Sequence, residues 1–331
     1  MKRISIGSLC SLIVIFYSCS ETIQEPRGPT PFTLDIPAGF PEQNIQEDNP
    51  ITQEGVELGR KLFYDSIISN DGLKACATCH IQANSFSSNP SVIPHINLGW
   101  SHNFLWNGAV TGHVEDAMRF EVEDFFNTDL SKLNNHTEYP SLFEKVFGTT
   151  TITTKEIAYA LAQFERTMIS GNSKFDKVQR GEDEFTNAEE KGMQMFFTEK
   201  ADCFHCHATV FFTDNLLHNN ALDASPEPGL FEVTGDTLDY GKFKSPTLRN
   251  IEYTSPYMHD GRFKTLEEVV DFYSDGLKHS TTVDPLMTYL YQGGNHLTAE
   301  EKTELVAFLK TLSDPSYLTN PQFSNPNNTS N

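Results

Sequence analysis

Cysteine is scarce in this 331-residue chain, and its placement excludes a fold built on disulfides. Six are present: two tight pairs, Cys76 with Cys79 and Cys203 with Cys206, and then only Cys10 and Cys19 near the N-terminus. Basic residues are short as well, 24 Lys and Arg against 45 Asp and Glu, for a formal charge of -21. That deficit argues against nucleic acid and anionic membrane surfaces as partners and suits a basic or mixed-charge protein. No apolar run is long enough for a stable membrane span; the one near the start, Leu9 to Tyr17, is too short. Strand-like alternation is rare, and the apolar residues follow helical spacing instead.

What the cysteines do form is specific. Cys76-Ala77-Thr78-Cys79-His80 and Cys203-Phe204-His205-Cys206-His207 are two copies of C-x-x-C-H. In that motif the two thiols add across porphyrin vinyl groups and the adjacent histidine ligates the iron, so one rigid macrocycle fixes both residue types and spacing. The motifs predict two covalent c-type haems, with His80 and His207 as proximal ligands. A zinc site built on C-x-x-C would need a second ligand pair, and the sequence has no third C-x-x-C and no H-x-x-x-H.

Lys2 and Arg3 ahead of the Leu9 to Tyr17 run have the charge and length of a secretory signal over 1–19. Phe16-Tyr17-Ser18-Cys19 resembles a lipoprotein cleavage box, which predicts a lipid on Cys19; simple secretion is the alternative. Either route places the mature protein in the periplasm, where c-type haem is assembled. Pro26, Pro29, Pro31, Pro37 and Pro41 mark 20–48 as a tether, and Asn320, Asn325, Asn327, Asn328 and Asn331 mark 316–331 as a flexible tail.

Between them the chain repeats itself. Gly59-Arg60-Lys61-Leu62-Phe63 precedes the first haem motif and Gly192-Met193-Gln194-Met195-Phe196 the second. Each half closes with a capped helix, Thr153 and Glu156 opening one, Thr298 and Glu301 the other; Thr186 and Glu189 cap the helix leading to the second motif. Helix, haem motif, irregular loops and closing helix is the order of a cytochrome c domain. The expectation is a mainly α protein of two tandem cytochrome c-type domains, 49–180 and 181–315, each with one covalent haem.

Leu248-Arg249-Asn250-Ile251 followed by Thr254-Ser255-Pro256-Tyr257-Met258-His259-Asp260-Gly261-Arg262-Phe263 resembles the signature of bacterial di-haem cytochrome c peroxidases and their MauG-type relatives. The likeness runs from about Gly55 to Leu312 and includes Leu62-Phe63-Tyr64-Asp65 and Gln163-Phe164-Glu165-Arg166. It implies that the N-terminal haem reacts with peroxide, that the C-terminal haem receives electrons, and that a tryptophan relays them. Trp106 aligns with that tryptophan, although Asn107 and Ala109 stand where the family has Asp and Arg; Trp100 reads as packing.

The resemblance also implies an acid-base carboxylate beyond the tryptophan. An ungapped count places Asp116 and Phe126 at the two family positions, so Glu121 or Glu123 is the substitute, with His113 a further candidate and a solvated acidic face the plain alternative. Tyr273 falls at the position of the second haem's sixth ligand, with Met258 and Met287 as rivals. His95 and His102 are available as a distal ligand of the first haem. A calcium ion between the domains is implied at Thr254 and Pro256, with Ser91 and nearby Asn89 and Asn97 for its side-chain ligand. Three functions stay open: reduction of hydrogen peroxide with electrons from a small cytochrome c or cupredoxin, a MauG-type oxidase of a protein or organic substrate, and a di-haem electron carrier. A homodimer is left open.

Overall fold

The computed structural model describes residues 28–88 and 91–327. The signal segment, with Cys10 and Cys19, lies outside that range, as do Asn89, Asn328 and Asn331. The fold is mainly helical. Its principal helices are α1 (Gln53–Tyr64), α2 (Val114–Phe120), α3 (Thr154–Thr167), α4 (Asn187–Phe196), α5 (Leu266–Asp275), α6 (Ala299–Lys310) and α7 (Pro315–Thr319). Two small antiparallel hairpins interrupt them: β1 (Asn103–Phe104) with β2 (Val110–Thr111), and β3 (Leu217–His218) with β4 (Phe243–Lys244). Among the described residues no helix is long and apolar enough to cross a membrane.

The helices start where the sequence marks them. Thr153 with Glu156, Thr186 with Glu189 and Thr298 with Glu301 each form a capping box, satisfying amides at the open ends of α3, α4 and α6. The apolar core divides in the same sense. One cluster draws on Leu58 through Met168, and two others on Phe196 through Leu312.

Internal repetition is visible at atomic detail. A Cβ added to Gly59 would lie 1.9 Å from the Ala160 carbonyl oxygen, and one added to Gly192 2.0 Å from that of Glu304. Each glycine therefore lets an opening helix, α1 or α4, cross its closing helix, α3 or α6, backbone to backbone. Asn97 and Asn250 both adopt left-handed backbone, and their amides donate to Met168 O and Leu312 O respectively.

Two segments differ from the sequence expectation. Residues 28–48, read as tether, lie along the first core: Phe32 N donates to Ile51 O, and buried Gln43 donates to Arg166 O. The stretch read as a flexible tail also packs. Tyr317 and Phe323 join the first core, Tyr64 donates its hydroxyl to Phe323 O, and Arg60 Nε donates to Ser324 O. Proline and asparagine content reports backbone preference; it cannot report that two aromatic anchors have a cavity waiting in the other half of the chain.

Candidate functional site

Both C-x-x-C-H motifs form a single helical turn, Cys76–Cys79 and Phe204–His207. Each proximal histidine is oriented by the same device. His80 Nδ1 lies 2.9 Å from Phe86 O and His207 Nδ1 2.7 Å from Phe212 O. A carbonyl can only accept, so Nδ1 carries the proton and Nε2 keeps its lone pair for a metal. Phe86 and Phe212 both hold φ above +50°, a strained conformation for an aromatic residue, and in that pose the carbonyls reach the imidazoles. Burial pushes both imidazoles below the ordinary range, which favours the neutral ring an iron requires. Burial also raises the Cys76 thiol, and takes Cys203 to about 12, so both are held as neutral thiols. Two thiols and one neutral imidazole per turn fit a covalently attached haem.

His95 packs against the first motif. Its ring stacks on that of His80 with centroids 3.5 Å apart, and Phe86 O accepts from both His80 Nδ1 and the His95 amide. His95 thus lies directly beside the proximal histidine of the first motif. Its Nδ1 is 2.9 Å from the buried Glu165 carboxylate, the third residue of the Gln163-Phe164-Glu165-Arg166 segment. Arg166 in turn forms a buried ion pair with Glu115. His102 is exposed.

The acidic run resolves into two kinds of carboxylate. Glu121–Phe125 is a π-helical turn continuing α2, and such a turn resets which side chains face inward. Glu121 is turned toward the first motif, where it interacts electrostatically with His95 and Cys76, and burial pushes its carboxyl up to about 7. Glu123 is exposed and accepts from the Thr154 hydroxyl at 2.6 Å. Asp116 accepts from the His113 amide at the start of α2, so both residues have capping roles, and Phe126 is buried in the core.

Trp106 sits in the turn between β1 and β2, at the seam of the two halves. Its indole Nε1 donates to Ser91 O at 3.0 Å, and its carbonyl accepts from Lys244 N of β4 at 2.8 Å. The next residue, Ser245, directs its hydroxyl to Cys206 O at 3.3 Å. Trp106 is thus two hydrogen bonds from the second haem motif. Trp100 packs against Phe40 and Phe211.

At the second motif, Tyr273, Met258 and Met287 gather around one apolar cluster. Asn220 Nδ2 lies 3.0 Å from the Tyr273 hydroxyl and 3.6 Å from Met258 Sδ. Burial raises the Tyr273 phenol above its usual value, the Asn220 donor opposes that rise, and the Cys206 and Cys203 thiols add to it. Ser91 N would lie 3.4 Å from a Cβ on Gly261, whose nearest neighbour is Pro256, so Ser91 adjoins the turn that carries Thr254 and Pro256. Asn97 is committed elsewhere, its amide side chain exchanging two hydrogen bonds with the Ser170 backbone.

Several residues here carry no short-range sequence signal. Asn220 is legible only once Tyr273 is beside it. His218 is held between Asp214 at 2.7 Å and Asp284 at 2.6 Å, and the Asp214 contact keeps its imidazole charged up to about 11. Lys244, buried at the seam, donates to Asn215 Oδ1, and burial lowers its ammonium to about 8.

Residues 53–184 match a family model described as di-haem cytochrome c peroxidase. The chain is 33% identical over 296 residues to the methylamine utilization protein MauG of Methylorubrum extorquens, covering 83% of this chain and 82% of that one. It is 29% identical over 301 residues to the cytochrome c551 peroxidase of Nitrosomonas europaea, covering 83% and 84%. A solved MauG-like protein associated with microbial copper homeostasis superposes with a TM-score of 0.81 at 32% identity, over 89% of this chain and 99% of that one. The diheme peroxidase BthA of Burkholderia thailandensis, at 18% identity, 82% and 88% coverage and a TM-score of 0.68, shares the fold.

Proposed function

Because this chain belongs to the di-haem cytochrome c peroxidase family, which takes in the MauG proteins, we propose that it reduces hydrogen peroxide at the first of two covalent haems. Each haem belongs to one of two tandem cytochrome c-type domains. Two electrons and two protons convert one peroxide to two waters, and the electrons come singly from a small redox protein through the second haem. The placement of Trp106 between Ser91 O and the strand whose following residue, Ser245, bonds Cys206 O is the observation that carries this reading.

When bound, the haems supply the peroxide site and the one-electron steps. The chain's own contribution is to orient, shield and move protons. Phe86 O and Phe212 O fix the proximal imidazoles. Glu121, with its carboxyl near 7, accepts a proton from one peroxide oxygen and returns it to the other, the task for which a group balanced at working pH is best suited. Glu123 has no part in that step. The same reading carries a periplasmic location, a lipid at Cys19, and a calcium ion near Ser91, Thr254 and Pro256.

A second reading, a MauG-type oxidase drawing its electrons from a protein or organic substrate, is favoured by Tyr273. A phenolate oxygen on the second iron stabilises higher oxidation states than a thioether does, and the Asn220 donor supports that ionised oxygen. Peroxide consumption with a reduced small cytochrome c or cupredoxin tests the first reading. Sustained two-electron turnover, slowed in Trp106→Phe, is expected. Rapid peroxide reaction without turnover of any such donor would favour the oxidase.

A further inference from the structure

Beside the second haem motif lies a cluster that the peroxide chemistry does not use. His205 is the second of the two residues between the attachment cysteines, within the turn Phe204–His207. Its Nε2 is 3.2 Å from Asp202 Oδ1 and 3.5 Å from Glu199 Oε2. Those three ligand atoms all lie within 4.8 Å of one another.

Both contacts are at ion-pair distance, and the closer one leaves hydrogen-bonding capacity unused on each side. His205 Nε2 and Asp202 Oδ1 are both buried atoms without a hydrogen-bond partner, although they face each other at hydrogen-bonding distance. The Asp202 side chain is nine-tenths buried, with 10% exposed. Its other oxygen, Oδ2, accepts from the Thr288 amide and from the Thr288 hydroxyl at 2.7 Å, which locks the carboxylate and aims Oδ1 at the imidazole. A carboxylate held in place by Thr288, an imidazole nitrogen facing its free oxygen and an exposed glutamate at the rim together offer a cation three ligand atoms. In a tetrahedral site with bonds of about 2.0–2.1 Å the ligand atoms stand about 3.3 Å apart; the contacts to His205 straddle that spacing.

We infer that Glu199, Asp202 and His205 bind a divalent transition-metal ion of the zinc class at the edge of the second haem. The fourth position is left to water. Thr288 is a positioning residue for the site, and the ion places positive charge beside the haem through which electrons pass. The binding claim itself stands apart from the peroxide reading, since it rests on these three side chains alone.

Zinc titrated into the dialysed di-haem protein, followed by calorimetry and metal analysis, tests the site. The expectation is one zinc per chain, affinity reduced at least tenfold in His205→Ala and in Asp202→Asn, and reduced 10- to 100-fold in Thr288→Val through the loosened carboxylate. Zinc should raise the midpoint potential of the second haem in the parent protein and leave it unmoved in His205→Ala, with the first haem unaffected. If His205→Ala impairs haem attachment, Asp202→Asn and Glu199→Gln, outside the motif, carry the test. Absence of stoichiometric zinc, or equal binding by all variants, overturns the site. Neither result depends on whether the protein turns over peroxide.

Discussion

Replacing Glu121 with Gln should remove peroxide turnover and make the protein more stable at the same time. The carboxyl titrates at about 7 in the fold against 4.5 for the free group, with burial as the leading cause. A rise of that size corresponds to about 3 kcal/mol of strain when the group is ionised. The direction follows from linkage: a carboxyl whose folded pKa is raised contributes full stability below the unfolded pKa and loses it as pH climbs through the folded one. Gln carries no charge and escapes the loss. Glu121→Gln should therefore match the parent near pH 4, gain on it between about pH 4.5 and 7, and stay up to about 3 kcal/mol ahead above that. Unfolding followed by far-UV circular dichroism at pH 4, 6 and 8 measures the gain. Peroxide turnover should fall by about 10²–10⁴, the usual worth of a positioned proton carrier, and the limb of the parent's pH profile near 7 should vanish. Unchanged turnover together with a stability difference that ignores pH would refute the inward, proton-carrying role of Glu121. Glu123→Gln, on the exposed side, should alter neither.

Tyr273→Phe should change the ferric spectrum of the second haem, whereas Met258→Leu and Met287→Leu should leave it alone; the reverse pattern would make a methionine the sixth ligand. Asn220→Ala should shift the same spectrum as Tyr273→Phe, in smaller measure, because it removes the donor on the phenol oxygen. Trp106→Phe should keep both haem spectra and slow electron delivery in turnover, and unchanged rates would reduce the indole to packing. Gly192→Ala drives a methyl to 2.0 Å from Glu304 O and should destabilise the second half by about 1–3 kcal/mol or more, measured by thermal unfolding.

Much of this fold was legible because its signals are local. Thr153, Thr186 and Thr298 each sit three residues before a glutamate, and each caps the helix its spacing implies. The C-x-x-C-H turns and the glycine-led opening helices were equally readable, since one macrocycle or one close helix crossing fixes them. The carboxylate proposed to carry the proton was not. An ungapped count from Trp106 ends on Phe126, and counting assumes a uniform helical register that the π-turn at Glu121–Phe125 breaks. Composition treats the carboxylates of that run alike; burial sets Glu121 apart from Glu123. The stacking of His95 on His80 was equally out of reach, because it depends on the Phe86 carbonyl that accepts from both residues and not on distance along the chain. The packed segments 28–48 and 315–327 rest on partners more than a hundred residues away for Gln43, Tyr64 and Arg60. No window of sequence contains both members of such a pair.

Rapid mixing of one equivalent of hydrogen peroxide with the di-haem protein, first fully oxidised and then with the second haem reduced, observes the central step directly. The spectrum of the first haem should change within the mixing experiment, one peroxide should be consumed per chain, and the reduced second haem should lose its electron, more slowly in Trp106→Phe. Failure of peroxide to react in either state, with both haem spectra unchanged, would contradict a peroxide-reacting enzyme and leave an electron carrier.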